Sequence, residues 1–476
     1  MRYIIRTIAA VCISFNASAA SVFYSPSDAT NANAKGYSVN HKTFLAVSVG
    51  GEKQDDKNLK PTHEFQKARM NLRSLVEIED DEHMHKAVLD IRAGTDAKED
   101  RDSMVYLQQG YLELQNAQSQ PLRAKIAFGL QNTASNGLAV NSSTTMKNFQ
   151  GIGGQWYRFA SMPVINQGGG YNPTFILQNS SLIAQGFGDA TFLHSQNNGT
   201  LNYVQPNANW STTNVGIGFT LQRIAGFKAA FTYQPFGNSG NFNGSRGNEG
   251  YDRRGITVNA GSGMFMKNIT SFALNYLNEW RGVSLNTTLS AETAGFDRNS
   301  SIASIERNNI KQYTAGLNLS YVGFTLGGSY SYSGKSLLLK QNAGQVNSYA
   351  TTNAQNAQVS SISTLAELQS AGNAGLLNYK NSYNYDVGLS YAFARHQIGI
   401  AHNRSRFMNN EANATVVSLS EDLKSVNGIK LTTVFEGGIY RFNSASYFKE
   451  SNSNVSIETP GKAKGYFGYV SLIASI

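Results

Sequence analysis

From Gln312 to Tyr332 the chain alternates with a period of two, broken by one dipeptide. Tyr313, Ala315, Leu317, Leu319 and Tyr321 are interleaved with Thr314, Gly316, Asn318 and Ser320. After Val322-Gly323, Phe324, Leu326, Tyr330 and Tyr332 are interleaved with Thr325, Gly327, Ser329 and Ser331. Successive side chains of a strand point to opposite faces, so this pattern predicts two strands, each with an apolar and a polar face. A two-residue connection fits only a tight hairpin. In a soluble sandwich the apolar face is the core. In a membrane barrel it faces lipid and the polar face lines a water-filled lumen.

The alternation recurs along the chain. Arg69–Ile78 sets Met70, Leu72, Val76 and Ile78 against Arg69, Asn71, Arg73 and Glu77. Lys86–Ala93 sets Ala87, Leu89 and Ile91 against Lys86, Asp90 and Arg92, and Leu122–Leu130 sets Ile126 and Phe128 against Arg123 and Lys125. Further strands are expected at 43–49, 105–114, 215–221, 227–233, 269–276, 283–291, 383–391, 397–403, 414–419, 429–440 and 465–476, about sixteen in all, an even number that suits a barrel. Residues 20–40 are polar and irregular, and 50–63 read as a charged loop.

The connections carry a second signal. Short ones at Arg223-Ile-Ala225, Asn278-Glu-Trp-Arg281, Val322-Gly323 and Phe393-Ala-Arg395 alternate with long ones at 234–267 and 334–381. Short turns on one rim and long loops on the other are the rhythm of an outer-membrane barrel, whereas a solenoid would keep a fixed repeat length. The interval from about 131 to 207 has no sustained alternation, and a connection of that size inside a compact domain is normally functional or disordered. Tyr276, Trp280, Tyr313, Tyr321, Phe324, Tyr332, Tyr383 and Tyr391 all fall near strand ends, as two interfacial girdles require. The expected fold is all-β: a transmembrane antiparallel β-barrel of sixteen strands with short periplasmic turns, long outer loops and an extended third loop.

Composition agrees with this. Charged residues make up 15% of the chain, well under the quarter usual in soluble domains. Beyond the N-terminus, no apolar run approaches the ~20 residues of a membrane helix, which leaves a closed barrel as the spanning structure. Met1–Arg6 is short and basic, Ile8–Phe15 is apolar, and Ala17-Ser18-Ala19 gives a small-residue cleavage pattern. Residues 1–20 therefore read as a secretory signal and 21–476 as the barrel. Cys12, the sole cysteine, lies in that leader, so the exported chain is held by its hydrogen-bond ladder and packing rather than by disulfides. The formal charge is +9, but the basic residues are scattered and the chain is exported, so nucleic acid is not an expected partner.

No reaction centre is legible. His83 and His85 sit in a charged turn, Gly168-Gly-Gly170 lacks the Lys-Ser/Thr of a phosphate loop, and no Ser, His and carboxylate spacing suggests a hydrolase. Asp55-Asp56 and Asp80-Asp81 read as charged loops rather than calcium ligands. No enzyme activity and no cofactor or metal are expected.

Several stretches resemble the Gram-negative general porins, most of all the alphaproteobacterial type. They are Gln109-Gly-Tyr-Leu-Glu-Leu114, Ala124–Asn132, Arg223–Tyr233, Trp280–Leu285, Tyr313–Tyr332 and Tyr385–Tyr391. The resemblance implies an outer-membrane porin: a water-filled channel for passive diffusion of small hydrophilic solutes and ions. It also implies a homotrimer among outer-membrane lipid and lipopolysaccharide, with the third loop folded into the lumen. Two departures stand out. The chain ends on Ile476 rather than an aromatic residue, which reads as a variant assembly signal. The acidic Pro-Glu-Phe-Gly-Gly run of the third loop is also absent, leaving Asp189 as the loop's only carboxylate beside Lys147 and Arg158.

Alternation puts Arg69, Arg73, Lys86, Asp90, Arg92, Arg123 and Lys125 on the lumen face. A basic side chain facing lipid at mid-depth would cost about 2–4 kcal/mol, which favours the same assignment. With Arg158 and Asp189 from the loop, these are the expected pore-lining and constriction residues. Their balance predicts a weak preference for small anions. A solute-selective channel, or a barrel serving mainly as a surface adhesin or anchor, are the alternatives.

Overall fold

The computed structural model describes residues 37–56, 63–80, 85–96, 104–115, 123–142, 213–236, 262–300, 309–336, 381–407, 410–423, 425, 429–443, 447–451, 454–458 and 462–475. The strands are β1 (Tyr37–Asp56), β2 (His63–Asp80), β3 (His85–Asp96), β4 (Met104–Gln115), β5 (Ala124–Asn132), β6 (Thr213–Ile224), β7 (Phe227–Phe236), β8 (Ser262–Trp280) and β9 (Val283–Ser300). They continue as β10 (Ile310–Tyr321), β11 (Phe324–Gly334), β12 (Ser382–Phe393), β13 (His396–Phe407), β14 (Asn410–Asp422), β15 (Lys430–Asn443), β16 (Tyr447–Ser451), β17 (Asn454–Glu458) and β18 (Lys462–Ser475). Among the described residues, one short helix, α1 (Ala134–Gly137), follows β5.

Every barrel strand pairs antiparallel with its neighbour, and β18 joins β15 to β1, closing the sheet. The sixteen alternating segments of the sequence correspond one to one with the sixteen barrel strands. The remaining pair, β16 and β17, forms a separate ribbon between β15 and β18 that alternation did not reveal. Closure leaves no unpaired edge, the condition for standing in a bilayer without helices. None of the described helices is long and apolar enough to cross a membrane.

Most strand ends run further than the sequence reading, although β5 begins at Ala124 rather than Leu122. β1 and β2 extend into the segment read as a charged loop, and β1 begins inside the stretch read as irregular. β13 and β14 lengthen until only residues 408–409 separate them, so this connection on the long-loop rim is short. The turns also shift. Trp280 is still in β8, and the tight turns are Ala225-Gly226, Arg281-Gly282, Val322-Gly323 and Ala394-Arg395. Ala225, Arg281, Val322 and Ala394 take φ between 45° and 50° there, with Gly226, Gly282 and Gly323 following at φ 79–88°. Positive φ at both central residues is the turn that matches strand twist. Backbone closure between long ladders overrides the residue preferences that suggested looser turns.

The opening hairpin pairs Tyr313 with Tyr332 and Tyr321 with Phe324. Continuing the register, Tyr332 faces Tyr383 and Phe324 faces Tyr391. These are two aromatic rows eight residues apart along β10, about 26 Å of strand, the spacing of a tilted apolar band about 25 Å tall. On the lower row Phe324 and Tyr391 stack with centroids 4.2 Å apart. Between the rows Leu317, Leu319, Leu326, Val387 and Leu389 stand exposed on the outer face. Thr314, Asn318, Ser329, Ser331, Asn384 and Ser390 point inward and are buried. The polarity is inverted relative to a soluble protein, as lipid outside and water inside demand.

Candidate functional site: the inner wall and the segment latched to it

After β5 the chain turns inward at once. Gln131 fixes the exit: its Nε2 donates to the Gly216 carbonyl (2.9 Å), and its own carbonyl accepts from Gln234 Nε2 (2.9 Å). Thr133 caps α1, accepting from Asn136 N while its hydroxyl donates to Glu292 Oε1 at 2.7 Å. Ala134 N donates to Thr232 Oγ1 (3.0 Å), and Ser135 N to Ser271 Oγ (2.9 Å). A Ser or Thr at the cap satisfies one free helix amide; the wall hydroxyls of Thr232 and Ser271 satisfy others. Ala134 packs on Ala230 and Ala273, whose small side chains let the helix approach the wall.

From α1 the segment runs along the wall. Leu138 O accepts from Thr288 Oγ1 (2.7 Å), itself held by Asn275 Nδ2 (2.8 Å). A Cβ on Gly316 would collide with the carbonyl oxygen of Val140. Ser142 N donates to Asp386 Oδ1, and Ser329 Oγ donates to the other oxygen of that carboxylate. Thr288, Gly316, Ser329 and Asp386 are successive register partners, one unbroken row across β9 to β12. Three strand steps of about 4.8 Å match the roughly 14 Å that four extended residues can span. Residues 138–142 are therefore stretched along this row.

Glu292 and Asp386 are the two carboxylates that hold the segment, and both are buried. Sequence reasoning missed them as site residues. Their signal was present in part: Asp386 is the one charged residue of β12, and Glu292 follows Thr288 and Ser290 on the inward face of β9. The hairpin's polar face, expected to line the lumen, is a seat for the segment at Gly316 and Ser329.

The residues expected to line the pore are placed as follows. Lys125 Nζ lies 2.6 Å from Glu113 Oε1, and Lys86 Nζ lies 2.9 Å from Glu77 Oε1, both pairs half-buried on the inward face. Arg123 is exposed just before β5, where its carbonyl accepts from Gln222 N near the short-turn rim. Arg69, Arg73, Asp90 and Arg92 have their backbones in β2 and β3, with Arg73 opposite Arg92; their side chains lie outside the described residues. Arg158 and Asp189 also lie outside, as does Gly168–Gly170. Two cations not singled out from the sequence join Lys125: Lys228, inward on β7, and Arg223, which donates to Asn275 Oδ1 (2.6 Å) at the short-turn mouth.

The opposite wall is less polar than alternation predicts. Val434 packs on Ile473, and Phe467 lies 6.5 Å from Tyr469, whose hydroxyl donates to Glu436 Oε1 (2.7 Å). These side chains are buried, so they are not presented to a passing solute.

No protein-family model matches the sequence, and no curated protein matches it. Among solved structures the chain is similar to the anion-selective porin from Comamonas acidovorans, with a TM-score of 0.46 and 10% identity, covering 92% of this chain and 99% of that one. The high-pH structure of Pseudomonas putida OprB gives 0.49 and 9%, over 94% and 96%. Salmonella typhi OmpF in complex with daunomycin gives 0.45 and 9%, over 93% and 99%. At these values the likeness is one of gross shape and assigns this chain no solute.

Proposed function

We propose that this chain is an outer-membrane porin: a water-filled passage for small hydrophilic solutes and ions, narrowed by the segment after β5. The observation that carries this is the closed barrel with an apolar, aromatic-girdled exterior and a hydrogen-bonding interior to which residues 133–142 are latched. A wall of Ser, Thr and Asn solvates solutes without binding any one class strongly, which suits passive diffusion. Residues 1–20 are the export signal, and the whole interval 131–207, with Arg158 and Asp189, belongs to the constriction. The assembly is a homotrimer in the outer membrane.

The passage prefers small anions weakly. Asp386 accepts through both carboxylate oxygens, and Glu292 through Oε1, from the latched segment and its seat. Lys125, Lys228 and Arg223 gather near the short-turn mouth, with Glu113 the carboxylate beside them. Rings of one charge sign bias ion passage in narrow pores. In a salt gradient the reversal potential is expected to take the anion-selective sign, and Lys228→Glu with Arg223→Gln is expected to move it toward cations. A cation-selective wild type would contradict the preference. Vesicle swelling tests the passage itself: small sugars should enter and large ones should not, and swelling independent of the protein would reject a pore.

A further inference from the structure

The charged residues of β4 to β7 gather at one end of their strands. From Met104 to Asn132 and from Thr213 to Phe236 they are Glu113, Arg123, Lys125, Arg223 and Lys228, four cations and one carboxylate. All five lie within two residues of a short-turn strand end. Register sets them side by side: Lys125 is opposite Thr220, Thr220 is opposite Ala230, and Lys228 follows two residues nearer the turn. Arg123 accepts through its carbonyl from Gln222 N, beside Arg223.

The carboxylate of this group is already engaged, with Glu113 Oε1 2.6 Å from Lys125 Nζ. Arg223 is anchored, donating to the Gly226 carbonyl and to Asn275 Oδ1 (2.6 Å). Lys228 and Arg123 form no ion pair or side-chain hydrogen bond with any described residue. The charges acting on the half-buried Lys228 are Lys125, Arg223 and Glu113. An ammonium that gives up water beside two other cations is unfavourable unless an anion joins it. Neighbouring carboxylates do not supply that anion: Glu77 is held by Lys86 at 2.9 Å and Asp422 by Lys430 at 3.4 Å. Glu279 lies four residues beyond Asn275, the register partner of Lys228, toward the tip of β8, about 13 Å along the strand. The acidic run Glu79–Glu82 sits at the β2–β3 end, with Lys86, Glu113 and Lys125 between it and Lys228.

We propose that this crescent is a subsite for small solutes bearing two negative charges, such as dicarboxylates and phosphate monoesters, on the short-turn side of the constriction; it rests on the porin reading above. With Lys125 matched to Glu113, three cations remain without a counter-charge. A dianion roughly doubles the Coulomb attraction there while the entropy of ordering one solute is lost once. Arginine forks match the paired oxygens of carboxylate and phosphate, and the low-dielectric wall focuses the field. The crescent is also on the path of anything that passes the latch. Asn275, which holds Arg223, donates to Thr288 Oγ1 (2.8 Å), and Thr288 donates to the Leu138 carbonyl (2.7 Å).

The test uses the full exported chain refolded in detergent and titrated calorimetrically at low ionic strength with succinate, glucose 1-phosphate and acetate. Succinate, glucose 1-phosphate or both are expected to bind saturably, about tenfold or more tighter than acetate, and R123Q/K228Q is expected to weaken that binding about tenfold. Saturable binding of one of the two dianions alone supports the subsite and names its solute class. R395Q, whose arginine pairs with Glu421, is expected to bind as wild type. Binding of neither dianion, acetate bound as tightly as succinate, or R123Q/K228Q binding like wild type would each overturn the proposal. If the double variant does not refold, K228Q alone reads the same quantity. Planar-bilayer current is recorded in parallel. Ohmic steps from a chain that binds no dianion sink the subsite and leave the porin reading; saturable dianion binding by a chain that never conducts does the reverse.

Discussion

At the scale of single residues, the account depends on a few contacts between the inner wall and residues 133–142. Asp386 accepts from Ser142 N and from Ser329, far from solvent. Removing a buried acceptor strands its donors at a cost of about 1–3 kcal/mol. Asp386→Ala is therefore expected to loosen the far end of the latched segment, giving larger and noisier single-channel currents while the barrel still folds. Currents identical to wild type would mean the segment is held elsewhere. Gly316 makes a separate prediction, because any side chain there meets the Val140 carbonyl. Gly316→Leu is expected to push the segment off the wall and raise the size of sugar admitted in swelling assays. An unchanged size cutoff would remove Gly316 from the seat.

At the scale of elements, the hairpin turns show where sequence and backbone disagree. Val322 holds φ at 45°, a region in which a β-branched residue is strained, of order 1–2 kcal/mol. Asn tolerates that region, so Val322→Asn is expected to stabilise the refolded barrel by roughly 1 kcal/mol in denaturant unfolding. A loss of stability would mean the exposed valine contributes more at the membrane interface than its backbone costs. The strands themselves were legible because lipid and water on opposite faces enforce period-two alternation, as Leu317 against Asn318 illustrates. Strand ends and turns were not, since ladder length is set by pairing partners that can lie far along the chain: Lys53 against Tyr466 is one case. The small ribbon of β16 and β17 was hidden because its Tyr-Phe-Lys-Glu-Ser and Asn-Val-Ser-Ile-Glu sequences are too short to show a period. The latch was hidden for another reason. Glu292 and Asp386 become meaningful only once register brings Thr288, Gly316, Ser329 and Asp386 into one row.

For the whole molecule, one inversion of polarity accounts for most of what is seen. The apolar face turns outward between two aromatic rows, the hydroxyl and amide face turns inward, and the chain after β5 uses that inner face as a track. Two carboxylates of that inner face, Glu292 and Asp386, hold the segment, and in the proposed passage the cations of the short-turn mouth bias what passes. The most direct measurement of the central claim is single-channel recording of the refolded exported chain in a planar bilayer. It should insert in discrete steps of ohmic conductance, and the steps should grow when Glu292 and Asp386 are both replaced by alanine. A chain that folds into the bilayer but carries no current, or whose steps ignore those two replacements, would contradict a pore narrowed by the latched segment.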